Sequence, residues 1–143
     1  FRRLNELWLN DQFALEAEDR RLLDDPNGQI LRLGGAVVFA LVDQTVAGTC
    51  AIINHRDGTL ELAKMAVDPK YRRRGLGERL ATEAIARASQ AGVDKLWLRT
   101  SPQLKSAERL YRRLGFRRDR QHPFGEETYR RETFTMALKL NSQ

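Results

Sequence analysis

Three arginines, Arg72, Arg73 and Arg74, stand directly before Gly75, Leu76 and Gly77, and from Leu76 onward the chain turns apolar at helical spacing. Residues of these types in this order can hold an anion. The first N–H groups of a helix lack internal partners and point out of its end, where the helix dipole favours negative charge. Gly75 and Gly77 let backbone approach a bound group without a Cβ in the way, and either can take a positive φ. Charge alone leaves three readings: a pyrophosphate cradle, a nucleic-acid patch, or a helix start with its arginines turned to solvent. Two phosphate motifs are excluded. No Lys-Ser/Thr follows Gly77, as a Walker loop requires, and the third glycine of a dinucleotide fingerprint is replaced by Leu80.

Other side chains with chemical potential are scattered. Glu61 is a strand carboxylate, and Tyr111 shares a helical stripe with Ala107 and Leu114, which by itself reads as packing. His55 and His122 fall in loops, where single histidines are solvated bystanders by default, and Glu126 and Glu127 in the second loop could attract a cationic amine. Cys50 lies among apolar strand neighbours and reads as a small buried residue, as Trp97 reads as packing. A second basic group, Arg112, Arg113, Arg117, Arg118 and Arg120, reads as a solvated face.

The elements that must position these groups follow from periodicity. Leu4, Leu7 and Trp8 at helical spacing predict one or two short helices at the start, ended by the turn cluster at 24–28. Apolar runs at 36–42 and 46–54 predict strands joined by a tight turn at 43–45, and a second turn at 56–58 leads to a strand over 59–67. A one-sided stripe of Leu76, Leu80, Ala81, Ala84, Ile85 and Ala88 predicts a helix stopped near Gly92, followed by a strand over 95–100. Strand, helix, strand in that order implies a crossover and a parallel pair. Ser101 and Pro102 are placed to cap and open the next helix, which Gly115 closes. Phe116 starts a strand, 122–127 forms a loop, and Phe134, Met136 and Leu138 alternate in a final strand.

These elements sum to one mixed α/β domain over residues 1–143, a length that can bury a single core. A hydrophobic content of 41% with 31% charged residues fits a globular chain and not a disordered one. No apolar run reaches bilayer length and no signal peptide is apparent, so a cytoplasmic protein without a membrane partner is expected. One cysteine and two histidines predict neither a disulfide framework nor a metal site. The net charge of +6 favours an anionic partner.

Read with its flanks, the glycine turn becomes specific. The stretch ELAKMAVDPKYRRRGLGERL resembles the acetyl-coenzyme A motif of the GCN5-related N-acetyltransferases, [R/Q]-x-x-G-x-[G/A], filled by Arg72, Gly75 and Gly77. Downstream, Ala107, Leu110, Tyr111, Gly115 and Phe116 match that family's A-x-x-L-Y-x-x-x-G-F. The resemblance implies a central mixed sheet, mostly antiparallel, with one splayed parallel pair and flanking helices. It implies acetyl-coenzyme A as cosubstrate and transfer by direct attack of a small-molecule or peptide amine in a ternary complex. It implies that backbone from Arg73 through Arg74, Gly75, Leu76 and Gly77 to Glu78 holds the pyrophosphate. Met65, Ala66 and Val67 would pair with the pantetheine arm, and an N–H near Val67 would face the acetyl carbonyl. Tyr111 becomes the general acid for the departing thiolate, and Glu61 the candidate base acting through water.

Leu104 stands where the family often carries a pantetheine-contacting Asn, so apolar contact from Leu104, beside Ala107, replaces a side-chain hydrogen bond. The family's first strand normally precedes the helix that starts at Phe1, and is expected upstream. Homodimers are frequent in the family. Two alternatives remain open at this point: a non-catalytic sensor of acyl-coenzyme A, and a basic nucleic-acid module. The second is disfavoured because no aromatic residues interleave the basic run.

Overall fold

The computed structural model describes residues 1–12, 16–120 and 133–140. Helices α1 (Arg2–Gln12) and α2 (Ala17–Asp24) open the chain, followed by a single π-type turn at Asn27–Leu31. Strands β1 (Ala36–Val42), β2 (Thr45–Asn54) and β3 (Leu60–Val67) follow, then a short 3₁₀ turn, helix α3 (Leu76–Gln90) and strand β4 (Lys95–Thr100). Helix α4 (Lys105–Arg113) and strands β5 (Arg117–Arg118) and β6 (Phe134–Lys139) complete the described elements. The six strands form one sheet in the order β1-β2-β3-β4-β6-β5. Every pairing is antiparallel except β3 with β4, the mixed architecture that the motif resemblance implies.

Local chemistry explains the connections. Asp43 and Gln44 both take positive φ, 49° and 68°, which matches a two-residue hairpin turn to the twist of β1 and β2. β2 is an almost unbroken apolar run because it is central and covered on both faces. On one face Leu60, Leu62, Leu96 and Leu98 meet Leu80, Ala81, Ala84 and Ala88 of α3, whose small side chains let the helix lie close. On the other face Ala51 and Ile53 pack under Leu22 and Ile30. Truncating a fully buried anchor such as Phe116 to alanine would cost about 3–5 kcal/mol.

Several expectations are revised. Leu4 is buried as its spacing requires, but Leu7 is 42% exposed, and the Trp8 side chain lies outside the described residues. Helix α4 starts at Lys105 with Leu104 at the N-cap, making no side-chain cap bond, and not at Pro102. Ser101 instead closes a separate turn: its carbonyl accepts from the N–H of Leu104 at 2.9 Å and its hydroxyl from that of Gln103 at 3.2 Å. The last two strands pair as expected, but β6 inserts between β4 and β5. The loop at 122–127, with His122, Glu126 and Glu127, lies outside the described residues. Among the described residues no helix is long and apolar enough to cross a membrane, and no cluster of ligating side chains could hold a metal ion. Cys50 is fully buried.

Candidate active site

β3 and β4 pair only at Leu60–Leu96, Glu61–Trp97 and Leu62–Leu98. Beyond that point the strands part. The reason is visible on the other side of β3, where Thr49 of β2 pairs with Ala66 but Ala51 pairs with Ala63, so β3 carries an extra residue. That is a β-bulge, and Lys64 within it takes φ +54°. The bulge resets the alternation of the strand. Ala63 packs toward α2 with Leu22 and Ile30, Lys64 reaches Asp19 of α2, and Met65 returns to the face shared with Leu62.

The parting strands open a cleft of about 560 Å³. One wall is Leu62 to Val67, the other is Arg99 and Thr100 with the start of α4, and Arg72 of the arginine turn also lines it. Leu104, Ala107, Leu110 and Tyr111 all face this space, so the strand and helix motifs meet across one opening. Next to a strand that has left β4, the open edge of β3 offers N–H and C=O groups to an extended ligand.

The glycine turn presents backbone N–H groups at the start of α3. Arg73 takes φ +66° and Gly75 φ +74°, two left-handed positions within three residues that curl the loop toward the start of α3. Gly75 is the N-cap, so the N–H groups of Leu76, Gly77 and Glu78 lack helical partners. Gly75 is required for conformation, since a Cβ there would meet nothing within 4 Å. Gly77 has room for a Cβ, which would make ordinary contacts 3.5 Å from Leu110 Cδ2 and 3.7 Å from Met65 Sδ, but a larger side chain would crowd them. Leu76 is an anchor and buries its side chain.

Arg72, Arg73 and Arg74 are exposed, and Arg74 lies over the Tyr71 ring at 5.3 Å. In the second basic group Arg112 pairs with Glu108, Arg113 lies 4.0 Å from Glu78, and Arg117 donates to the carbonyls of Arg112 and Phe116. Much of that group is committed to the protein's own acceptors.

Tyr111 is 8% exposed and packs edge-on to Phe116, with centroids 5.8 Å apart and planes at 62°. Burial, with the nearby Cys50 thiol adding to it, pushes the phenol up to about 12. It therefore holds its proton throughout the neutral range, the state a general acid needs. Packing and acid chemistry are compatible here, because the side chain is both part of the core cluster and part of the cleft lining.

Glu61 is 3% exposed and is not among the residues lining the cleft. Its Oε1 lies 2.9 Å from His55 Nε2 and its Oε2 lies 3.5 Å from Nε of Arg99, which does line the cleft. His55 is thus no bystander: a loop histidine six residues away is the hydrogen-bond partner of a buried carboxylate. Sequence reasoning also missed Lys64, Arg99, Thr100, Gln103, Lys105 and Ser106 as cleft residues. Arg99 and Thr100 could have been found as the part of β4 that runs past its pairing with β3.

A protein-family model described as the acetyltransferase (GNAT) family matches residues 2–116. The [ribosomal protein bS18]-alanine N-acetyltransferase of Escherichia coli K12 is 29% identical over 136 residues, 94% of this chain and 82% of that protein. N-alpha-acetyltransferase 30 of Xenopus laevis is 44% identical over 59 residues, and this chain covers only 22% of its length. Among solved structures, a GNAT-family acetyltransferase from Staphylococcus aureus Mu50 aligns with TM-score 0.83 at 21% identity, covering 97% of this chain and 90% of that one. The structure of yncA from Salmonella typhimurium with acetyl-CoA aligns with TM-score 0.75 at 23% identity, over 99% and 87% of the two chains.

Proposed function

The chain belongs to the acetyltransferase (GNAT) family, and from that premise we propose that it transfers the acetyl group of acetyl-coenzyme A to the free α-amine of a peptide or protein N-terminus. The observation that carries the transferase reading is the cleft itself: bulged strand, curled glycine turn and α4 stripe converge on one opening. The choice of an α-amine is supported by the relatives, since one that covers 94% of this chain bears the name of a ribosomal-protein alanine N-acetyltransferase.

The cosubstrate supplies a reactive acetyl thioester. The N–H groups from Arg73 to Glu78 hold its pyrophosphate, with Arg72 at the cleft lining nearby. Met65, Ala66 and Val67 pair with the pantetheine arm as an added strand edge, and Leu104 and Ala107 give it apolar contact from α4. A backbone N–H near Val67 faces the carbonyl oxygen as it gains charge. The phenol of Tyr111 gives its proton to the departing sulfur. Glu61, fixed between His55 and Arg99, receives the amine's proton by way of water.

Two peptides test the acceptor. One has a free α-amine and acetylated lysines; the other has a blocked α-amine and free lysines. Incubated with acetyl-coenzyme A and followed by mass spectrometry, only the first gains an acetyl group. Acetylation of the lysine peptide alone, or of small amines alone, overturns the choice of acceptor. Saturable coenzyme binding with no turnover on any amine leaves the sensor reading instead.

A further inference from the structure

The bulge that opens the cleft is tied to the helix on the opposite side of the sheet. Lys64 is its left-handed residue, a conformation that costs a lysine where glycine would adopt it freely. No glycine stands there, so something else holds the strand in this shape. Lys64 Nζ donates to Asp19 Oδ1, in an ion pair whose side chains are 5% and 0% exposed. Asp19 is itself fixed: its Oδ2 accepts from the N–H of Glu16 at 3.0 Å, one half of a capping box at the start of α2. Leu22 and Leu23 anchor that helix in the core. A rigid path therefore runs from the N-terminus of α2 through Asp19 to Lys64, and from there to Met65, Ala66 and Val67.

We infer that Asp19 and Lys64 form a positioning pair for acetyl transfer: the ion pair sets the bulge of β3 and with it the cleft-facing backbone from Met65 to Val67. A buried ion pair is a weak device for stability, because apolar residues of similar volume do as well or better. Its value is direction. The short carboxylate of Asp19 holds one ammonium at one point, and a methylene stem packed against leucines would not fix where the strand turns. Although Lys64 lines the cleft, the pair commits its charges to each other. It acts through the backbone, where a displacement of about 1 Å costs about a hundredfold in rate.

The test separates position from stability, and it rests on the transferase reading only for its kinetic arm. Lys64→Met alone strands a buried carboxylate, so melting temperature and rate both fall. In Asp19→Leu/Lys64→Met the charges leave together. Its melting temperature returns to within a few degrees of wild type while kcat stays at least about tenfold low. Should the double variant fail to fold, Lys64→Arg keeps the charge and lengthens the arm; it retains the melting temperature and loses about tenfold in kcat. Amide hydrogen exchange at Met65, Ala66 and Val67 gives a readout that needs no turnover: it is faster in the folded variant while exchange in β2 is unchanged. A folded variant with wild-type kcat, or with wild-type exchange at those three amides, overturns the pairing's role. A wild-type protein that turns over no amine overturns the proposed function and leaves the exchange result to decide this inference.

Discussion

Replacing Tyr111 by phenylalanine removes one oxygen and keeps the ring. The edge-on contact with Phe116 at 5.8 Å is preserved, and so is the core cluster around it. Stability should therefore change by no more than about 1 kcal/mol, or about 2–4 °C in melting temperature. The rate is another matter. A positioned general acid contributes about 10²–10⁴-fold, and a thiol leaving group with a pKa of about 8.5 needs the least help, which selects the lower end. A loss of about a hundredfold in kcat corresponds to about 2.7 kcal/mol of barrier. Because the phenol sits at about 12, its proton is in place at every pH of an ordinary assay, and the loss should be the same at pH 7 and pH 9. The assay is single-turnover release of free coenzyme A thiol, so that slow product release does not hide the chemical step. The Michaelis constant for acetyl-coenzyme A should hold within about threefold, since the phenol's task falls in the transition state. A Tyr111→Phe rate within about threefold of wild type would refute the role and return the residue to packing alone.

Other consequences concern stability and the coenzyme. Burial raises the Cys50 thiol from 9.0 to about 12 and the Tyr111 phenol from 10.0 to about 12, so in the folded state both keep protons that the unfolded chain sheds first. Stability should be level below pH 9 for these two groups and fall as pH rises toward 12, by up to about 1.4 kcal/mol per pH unit for each; Cys50→Ala should delay the onset of that fall to pH 10, and a melting temperature unchanged from pH 8 to 11 would contradict it. Gly77→Val would fill the gap between Leu110 and Met65 and should weaken acetyl-coenzyme A binding by about tenfold or more, measured by calorimetry. Leu104→Asn would supply the side-chain cap that α4 lacks, raising stability by about 1 kcal/mol, or about 2–4 °C in a thermal melt.

Much of this site was legible because its parts are local in sequence. Arg72, Gly75 and Gly77 sit in one turn, and Ala107 to Phe116 span one helix and its exit, so each could be matched as a unit to a motif of the family that the chain resembles. Strands β1 and β4 were bounded correctly because apolar runs ended in clear turn residues. The rest was hidden for physical reasons. The bulge at Lys64 carries no glycine to mark it, and its support comes from Asp19, 45 residues earlier on another element. The bond from His55 to Glu61 exists only because β2 and β3 form a hairpin that brings loop and strand together. Ser101 and Pro102 look like a helix start because the same residue types also build an isolated turn, and only the hydrogen bonds distinguish the two.

The central claim is that the opening between β3 and β4, with the start of α3, holds acetyl-coenzyme A. Titration of the uniformly ¹⁵N-labelled protein with acetyl-coenzyme A, followed by amide chemical shifts, tests it most directly. The account predicts saturation at one equivalent, with the largest shifts at Ala63 to Val67 and at Arg73 to Glu78. Shifts that saturate elsewhere, centred on Arg117 to Arg120 or on the edge strand β1, would contradict it, as would a titration in which no amide responds.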